Sequence, residues 1–229
     1  EAFQSRVSLI KGERQADWDA AEAVKAVKSV LVDLNDAAAT LPNSYNSVEN
    51  ITPLETPLSS TINGAALATP VFLSLYAEND LRLDKYFAET DEKGFRKNKK
   101  AGSNNYLCTF RVGEIYLTAA EAAARLGELS QARTRLLELM RKRYAPEAYE
   151  AKSVVVNAMD KEALVQEILD ERARELAFEG HRWFDLRRST RPRLEKVLDG
   201  TRYVLEENDA RYTLAIPKEA IEANPGLLN

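Results

Sequence analysis

Apolar residues return every three or four positions early in the chain. Ala20, Val24, Val27, Leu31 and Leu34 lay one stripe along a helix of 3.6 residues per turn. The stripe predicts a helix running on towards Leu41, where Pro42 forces the preceding residue out of helical geometry. The pattern then dissolves. Residues 41–70 are rich in Pro, Ser, Thr and Asn without a steady period, which predicts a long irregular excursion. Loops of that length are uncommon inside a domain and often carry function. Helical period returns after Arg111, where Tyr116, Ala120, Ala123, Gly127, Ala132, Leu136 and Leu139 mark two helices. Gly127 suits a left-handed C-cap and Ser130 the next N-cap. Gly127, Ala132 and Leu136 also stand at the offsets of a tetratricopeptide hairpin, and a fainter copy surrounds Gly12 and residues 17–21. A further helix opens at Asp160, a good N-cap, and carries Leu169, Ala173, Leu176, Gly180 and Trp183 on one stripe. Residues 202–217 change to period two about Asn208-Asp209, which predicts a small β-hairpin.

These elements predict a mainly α fold: tetratricopeptide-type helical hairpins, long irregular loops and a small C-terminal β-hairpin. The expected organisation is a single domain, 1–229. Within it lie a helical repeat (1–41), a loop-rich excursion (42–110), a helical hairpin (111–143), a pair of further helices (144–190) and a C-terminal hairpin with a closing segment (191–229).

Composition narrows the function. The formal net charge of −4 argues against a nucleic-acid binder, which should be basic. No apolar run nears the roughly 20 residues that cross a bilayer. The single cysteine, Cys108, allows no intrachain disulfide, and it lies far in sequence from His181, the only histidine. Zinc sites draw on clustered His and Cys, so no metal site is expected. No G-x-S-x-G elbow is present. No catalytic residue and no cofactor is assigned. The basic run at residues 96–100 reads as a solvated loop.

Charge concentrates in ERARELAFEGHRWFDLRR, residues 171–188. Asp170 with Arg174 stands at i,i+4. Glu179 with Arg182, Arg182 with Asp185, and Asp185 with Arg188 stand at i,i+3, so the patch can neutralise itself. Arginine forks suit partly buried pairing to carboxylates. The segment reads as an ion-pair network that clamps helices, with Trp183 and Phe184 as an apolar plug and His181 packed at a helix end.

That segment is very similar to a signature of the SusD/RagB family, outer-membrane nutrient-binding lipoproteins of Bacteroidetes-type bacteria. Further stretches resemble the family in order: SRVSLIKGE with DWDAA, NDLRLDKYF, FRVGEIYLTAAEAAARLG and YTLAIPKEAIEANPGL. The residues carrying the resemblance include Arg111, Glu114 and Tyr116, then Glu175, Phe178, Glu179, His181, Arg182, Trp183, Phe184, Asp185 and Arg187. The resemblance implies a SusD-like fold. Family members extend further at the N-terminus, so it also implies that a signal peptide, a lipidated anchor cysteine and earlier helical repeats lie outside this chain.

The resemblance implies a non-catalytic role: binding an oligosaccharide, or in some members a peptide, at the cell surface and delivering it to a SusC-like TonB-dependent barrel. Sugar sites use aromatic faces and amides carried on loops. The expected ligand residues are therefore Asn43, Tyr45 and Asn46 in the excursion, with Tyr76 and Tyr106. Two alternatives stay open: a tetratricopeptide-like protein–protein interaction scaffold, and a glycosidase with two carboxylates about 5–10 Å apart.

Overall fold

Glycine sets the first helical pair. In this computed structural model, α1 (Ala2–Lys11) ends on Gly12 at φ 81°, a left-handed backbone that costs glycine little. α2 (Arg14–Val27) follows. The structure describes residues 1–44, 46–55, 67–100, 106–224 and 226.

The helix expected to reach Leu41 stops at Val27, which is 91% exposed, and residues 28–33 are extended. Tertiary bonds replace the helical ladder. Val32 N–H donates to Glu49 Oε1 at 2.9 Å, Arg143 Nη1 donates to the Val32 carbonyl at 2.5 Å, and Leu34 N–H donates to the Lys142 carbonyl at 2.9 Å. These bonds leave Leu34, the last residue of the predicted stripe, and nearby Val32 as buried anchors of the segment.

The excursion holds more regular structure than its sequence suggests. In chain order it contains β1 (Asn50–Glu55), β2 (Leu67–Ala68), the one-turn helix α3 (Pro70–Leu73), α4 (Arg82–Tyr86), β3 (Phe87–Thr90), β4 (Arg96–Asn98) and β5 (Tyr106–Arg111). β1 pairs antiparallel with β5, and a three-stranded sheet has the order β2-β4-β3. The strands are short, and register shifts interrupt the β1–β5 and β3–β4 ladders. No run alternates long enough to be read as a strand.

The helical body follows: α5 (Val112–Leu126), α6 (Leu129–Met140), α7 (Pro146–Ala158) and α8 (Lys161–Glu175). α5 ends on Gly127 at φ 93°, as its sequence predicts. α6 starts at Leu129, so Ser130 sits in its first turn instead of capping it. Asp160 does cap α8, accepting from Ala163 N–H at 2.9 Å. Ala120, Ala123 and Ala124 pack with Ala132, Leu136 and Leu139 of α6 and with Leu164 and Ile168 of α8. Ala21 and Val24 of α2 meet Ile115 and Ala119 on another face of α5.

The chain divides into two compact units, Glu1–His181 and Arg182–Asn229. The second holds α9 (Arg182–Arg188), β6 (Leu194–Leu198), β7 (Thr201–Leu205), a 3-10 turn at Ala210–Tyr212 and α10 (Lys218–Ala223). The expected hairpin forms, but around a different turn. β6 pairs with β7 from Leu194↔Leu205 to Leu198↔Thr201, and Asp199-Gly200 makes the turn at φ 48° and 76°. Positive φ at both positions matches the twist of the strands, and Asp-Gly favours it. Asn208-Asp209 instead leads into the 3-10 turn, where Asp209 accepts from Arg211 N–H at 2.8 Å.

Candidate functional site

Most of the acidic signature residues point inward. Glu175, on the last turn of α8, is fully buried. Its Oε1 accepts from Arg111 Nη1 at 2.6 Å and Arg143 Nη2 at 3.0 Å. Its Oε2 accepts from Arg143 Nε at 2.9 Å and Arg82 Nη1 at 3.1 Å. One turn earlier, Glu171 accepts from Arg82 Nη1 at 2.7 Å, Arg174 Nε at 2.8 Å and the Tyr144 hydroxyl at 3.2 Å. Beyond the helix, Glu179 takes a two-point fork from Arg111, both contacts at 2.9 Å, and an ion pair from Lys100. Asp80 takes the other edge of Arg82 at 2.9 and 2.8 Å. Glu49 bridges Arg111 at 3.1 Å and Arg143 at 2.5 Å.

The cations Arg82, Lys100, Arg111, Arg143 and Arg174 thus face Glu49, Asp80, Glu171, Glu175 and Glu179. Formal charges cancel inside the fold, which is the condition for burying them at all. Burial alone would raise the Glu171 carboxyl, but the Arg82 and Arg174 guanidiniums outweigh it and hold it at about 2. Burial likewise opposes, and Arg111 and Lys100 overcome, at Glu179, also held at about 2. Glu175 is driven well below the usual range by Arg143, Arg111 and Arg82, again against burial. Burial pushes the Lys100 ammonium down to about 8, with Glu179 opposing.

Gly113 makes room for this cluster. A methyl there would overlap the Arg111 guanidinium and lie 3.0 Å from Glu175 Oε1 and 3.1 Å from Glu49 Oε2. Gly113 N–H also donates to Glu49 Oε2 at 3.2 Å.

His181 stands apart from the cluster. Its Nδ1 lies 3.9 Å from Glu114 Oε1. Glu114 is already forked by Arg6 at 2.7 and 2.5 Å. Burial lowers the His181 pKa, with Glu114 opposing, so the ring is neutral at pH 7. Among the described residues no hydroxyl or thiol hydrogen-bonds to His181, and no group of His, Cys, Asp and Glu could hold a metal ion.

Several sequence readings change here. Lys100, read as part of a solvated run, is 1% exposed and donates to the Glu175 carbonyl at 2.5 Å. Arg174 pairs with Glu171 and Glu167, not Asp170, because the buried side of α8 carries the two glutamates. Glu179 serves Arg111 and Lys100. Phe184 is 51% exposed, so it does not complete a plug. Trp183 instead stacks on Tyr212 at 5.2 Å and 15°. Asp185 pairs with Arg188 at 2.7 Å as expected, while Arg182 and Arg187 are exposed. Phe178 takes φ 61° and meets Phe72 and Phe87 edge-on at 6.2 and 6.1 Å. Tyr116 is buried and donates to the Ser29 carbonyl at 3.1 Å.

The proposed ligand residues fare unequally. Tyr76 is 6% exposed, donates to the Arg174 carbonyl at 2.8 Å and packs edge-on with Phe72 and Phe87. It offers no open face to a sugar. Asn46 is exposed. Asn43 is buried, with no hydrogen-bond partner for its Oδ1 among the described residues. Tyr45 and the Tyr106 side chain lie outside the described residues. Sequence reasoning missed Glu49 and Arg143, which carry no local signal. Asp80-Leu81-Arg82 did carry one, inside the NDLRLDKYF stretch.

The model of the SusD family matches residues 67–229. No curated protein matches the chain. The fold is similar to that of a SusD superfamily protein from Bacteroides vulgatus, with TM-score 0.76, 20% identity, and coverage of 98% of this chain and 56% of that one. A SusD superfamily protein from Bacteroides thetaiotaomicron gives TM-score 0.73 and 22% identity, covering 98% and 58%. A SusD-like carbohydrate binding protein from Bacteroides vulgatus gives TM-score 0.70 and 18% identity, covering 98% and 57%. The chain therefore spans somewhat over half the length of these relatives.

Proposed function

The chain belongs to the SusD family, and on that premise we propose that it binds an oligosaccharide nutrient at the bacterial cell surface, leaves it chemically unchanged, and passes it to a SusC-like TonB-dependent barrel. One observation carries the reading. The signature charges Arg111, Glu175 and Glu179 are buried and committed to one another, so they serve as scaffold and leave recognition to surface loops. That a structural relative is described as carbohydrate binding supports the choice of ligand. Attachment through an N-terminal lipid anchor belongs to the same proposal. Among the described residues no helix is long and apolar enough to cross a membrane.

Within this reading the excursion offers a ligand group at exposed Asn46, joined by Tyr45 and Tyr106, while Asn43 is buried and would not reach a ligand. Amides would bond hydroxyls, and tyrosine faces would stack on pyranose rings. Calorimetric titration with host and plant oligosaccharides, and with short peptides alongside, tests it. Saturable binding of one sugar class is expected, weakened about tenfold by Tyr45→Ala or Asn46→Ala. Peptide binding without any sugar response would overturn the carbohydrate assignment.

A further inference from the structure

A cleft of about 570 Å³ opens in the first unit between the segment 28–35 and the α6–α7 junction. The wall formed by that segment alternates. Val32 and Leu34 turn into the protein, while Ser29, Leu31, Asp33 and Asn35 line the cleft. The charge network fixes this wall from behind, since Arg143 holds the Val32 carbonyl and Glu49 the Val32 N–H. The rim is braced as well. Lys142 Nζ pairs with Asp33 at 2.8 Å, and Asn35 Nδ2 donates to Asp33 Oδ1 at 3.0 Å. Tyr116, tied to Ser29, also lines it.

The facing wall is chemically different. The Arg141 guanidinium, the Tyr149 hydroxyl and the Glu150 carboxylate line the cleft and have no hydrogen-bond or ion-pair partner among the described residues. The other charges are paired: Asp33 with Lys142, and Glu138 with Arg135 at 3.2 Å.

We propose that this cleft is a binding site for a neutral oligosaccharide, an inference that rests on the carbohydrate reading above. The formal charges nearly cancel, so the cleft has little field to attract an ion. It does present open donors and acceptors together. A hydroxyl both donates and accepts, so neighbouring hydroxyls of one sugar can serve Arg141 and Glu150 at once. Leu31, Pro146 and the Tyr149 ring supply apolar surface for a pyranose face. The volume lies within the roughly 300–1,000 Å³ of small-ligand sites.

The test titrates the ¹⁵N-labelled chain with malto-, xylo- and manno-oligosaccharides. Arg141→Gln and Glu150→Gln are chosen because both positions are exposed and the fold does not depend on them. The expected result is amide shifts at residues 28–36 and 138–150, with a Kd about tenfold weaker in either variant. The affinity should hold at 1 M salt, where the Debye length is about 3 Å. A sugar Kd unchanged in both variants, with shifts confined to other residues, would overturn the cleft assignment and leave the carbohydrate reading standing. An affinity that collapses with salt would overturn the neutral class of ligand. No saturable sugar binding at all would overturn both readings.

Discussion

Three guanidiniums converge on one carboxylate at Glu175. Removing that charge would leave Arg82, Arg111 and Arg143 buried with an excess of positive charge. Glu175→Gln is predicted to destabilise the fold by about 3–5 kcal/mol, read from urea unfolding, because breaking a buried pair strands the remaining partners. A change under about 1 kcal/mol would show that water reaches the cluster. Gly113 gives an independent probe that removes no charge. Gly113→Ala forces a methyl onto the Arg111 guanidinium and should cost about 1–3 kcal/mol, the scale of overpacking. An alanine variant as stable as the parent would contradict the close approach. At this scale the sequence was half legible. Glu179 announced ion pairing through its spacing to Arg182, though its partners proved to be Arg111 and Lys100, while Arg111 and Glu175 announced themselves through the family resemblance. Their partners Glu49, Lys100 and Arg143 did not, because those contacts span from 32 to 79 residues of chain and no local pattern encodes them.

The helical pair α1–α2 encloses an unusual acid. Asp17 is fully buried and accepts from the Ser5 hydroxyl at 3.1 Å, while its Oδ2 has no partner among the described residues. Burial raises its pKa from 3.8 to about 7, with Ser5 opposing. A folded-state pKa above the unfolded one gives stability that is present below about 3.8 and is lost as pH rises through 7. Asp17→Asn should abolish that fall between pH 4 and 7 in a urea-midpoint series. A variant that keeps the parent slope would contradict a buried, protonated Asp17. Element boundaries were legible where backbone chemistry is local. Gly12, Gly127 and Asp160 mark helix ends in the sequence and in the structure. They were illegible where distant groups decide: α2 stops at Val27 because Glu49, Arg143 and Lys142 take the backbone of Val32 and Leu34. The hairpin turn lay in plain view at Asp199-Gly200, and the alternation beyond it drew the reading to Asn208-Asp209 instead.

Across the whole molecule the network has one thermodynamic signature. Glu171 and Glu179 are held at about 2 against an unfolded value near 4.5, and Glu175 is also held well below that unfolded value. Depressed carboxylates give stability that is fully present above pH 4.5 and lost as pH falls towards 2. The urea midpoint should drop steeply across that window, and a flat profile there would contradict the buried pairing. The mainly α character and the SusD-like fold were legible from ordered stretches such as residues 171–188. The ligand surface was not, because Tyr76 is an ordinary aromatic in sequence and only packing shows that its ring is enclosed. The central claim is that this scaffold holds a sugar without transforming it. Equilibrium dialysis against a panel of oligosaccharides, followed by chromatography of the recovered sugar, tests that most directly. The account predicts that one sugar class is retained saturably and recovered at its original length. Shortened products would establish hydrolysis, and a panel that passes through without retention would remove the sugar; either result would contradict it.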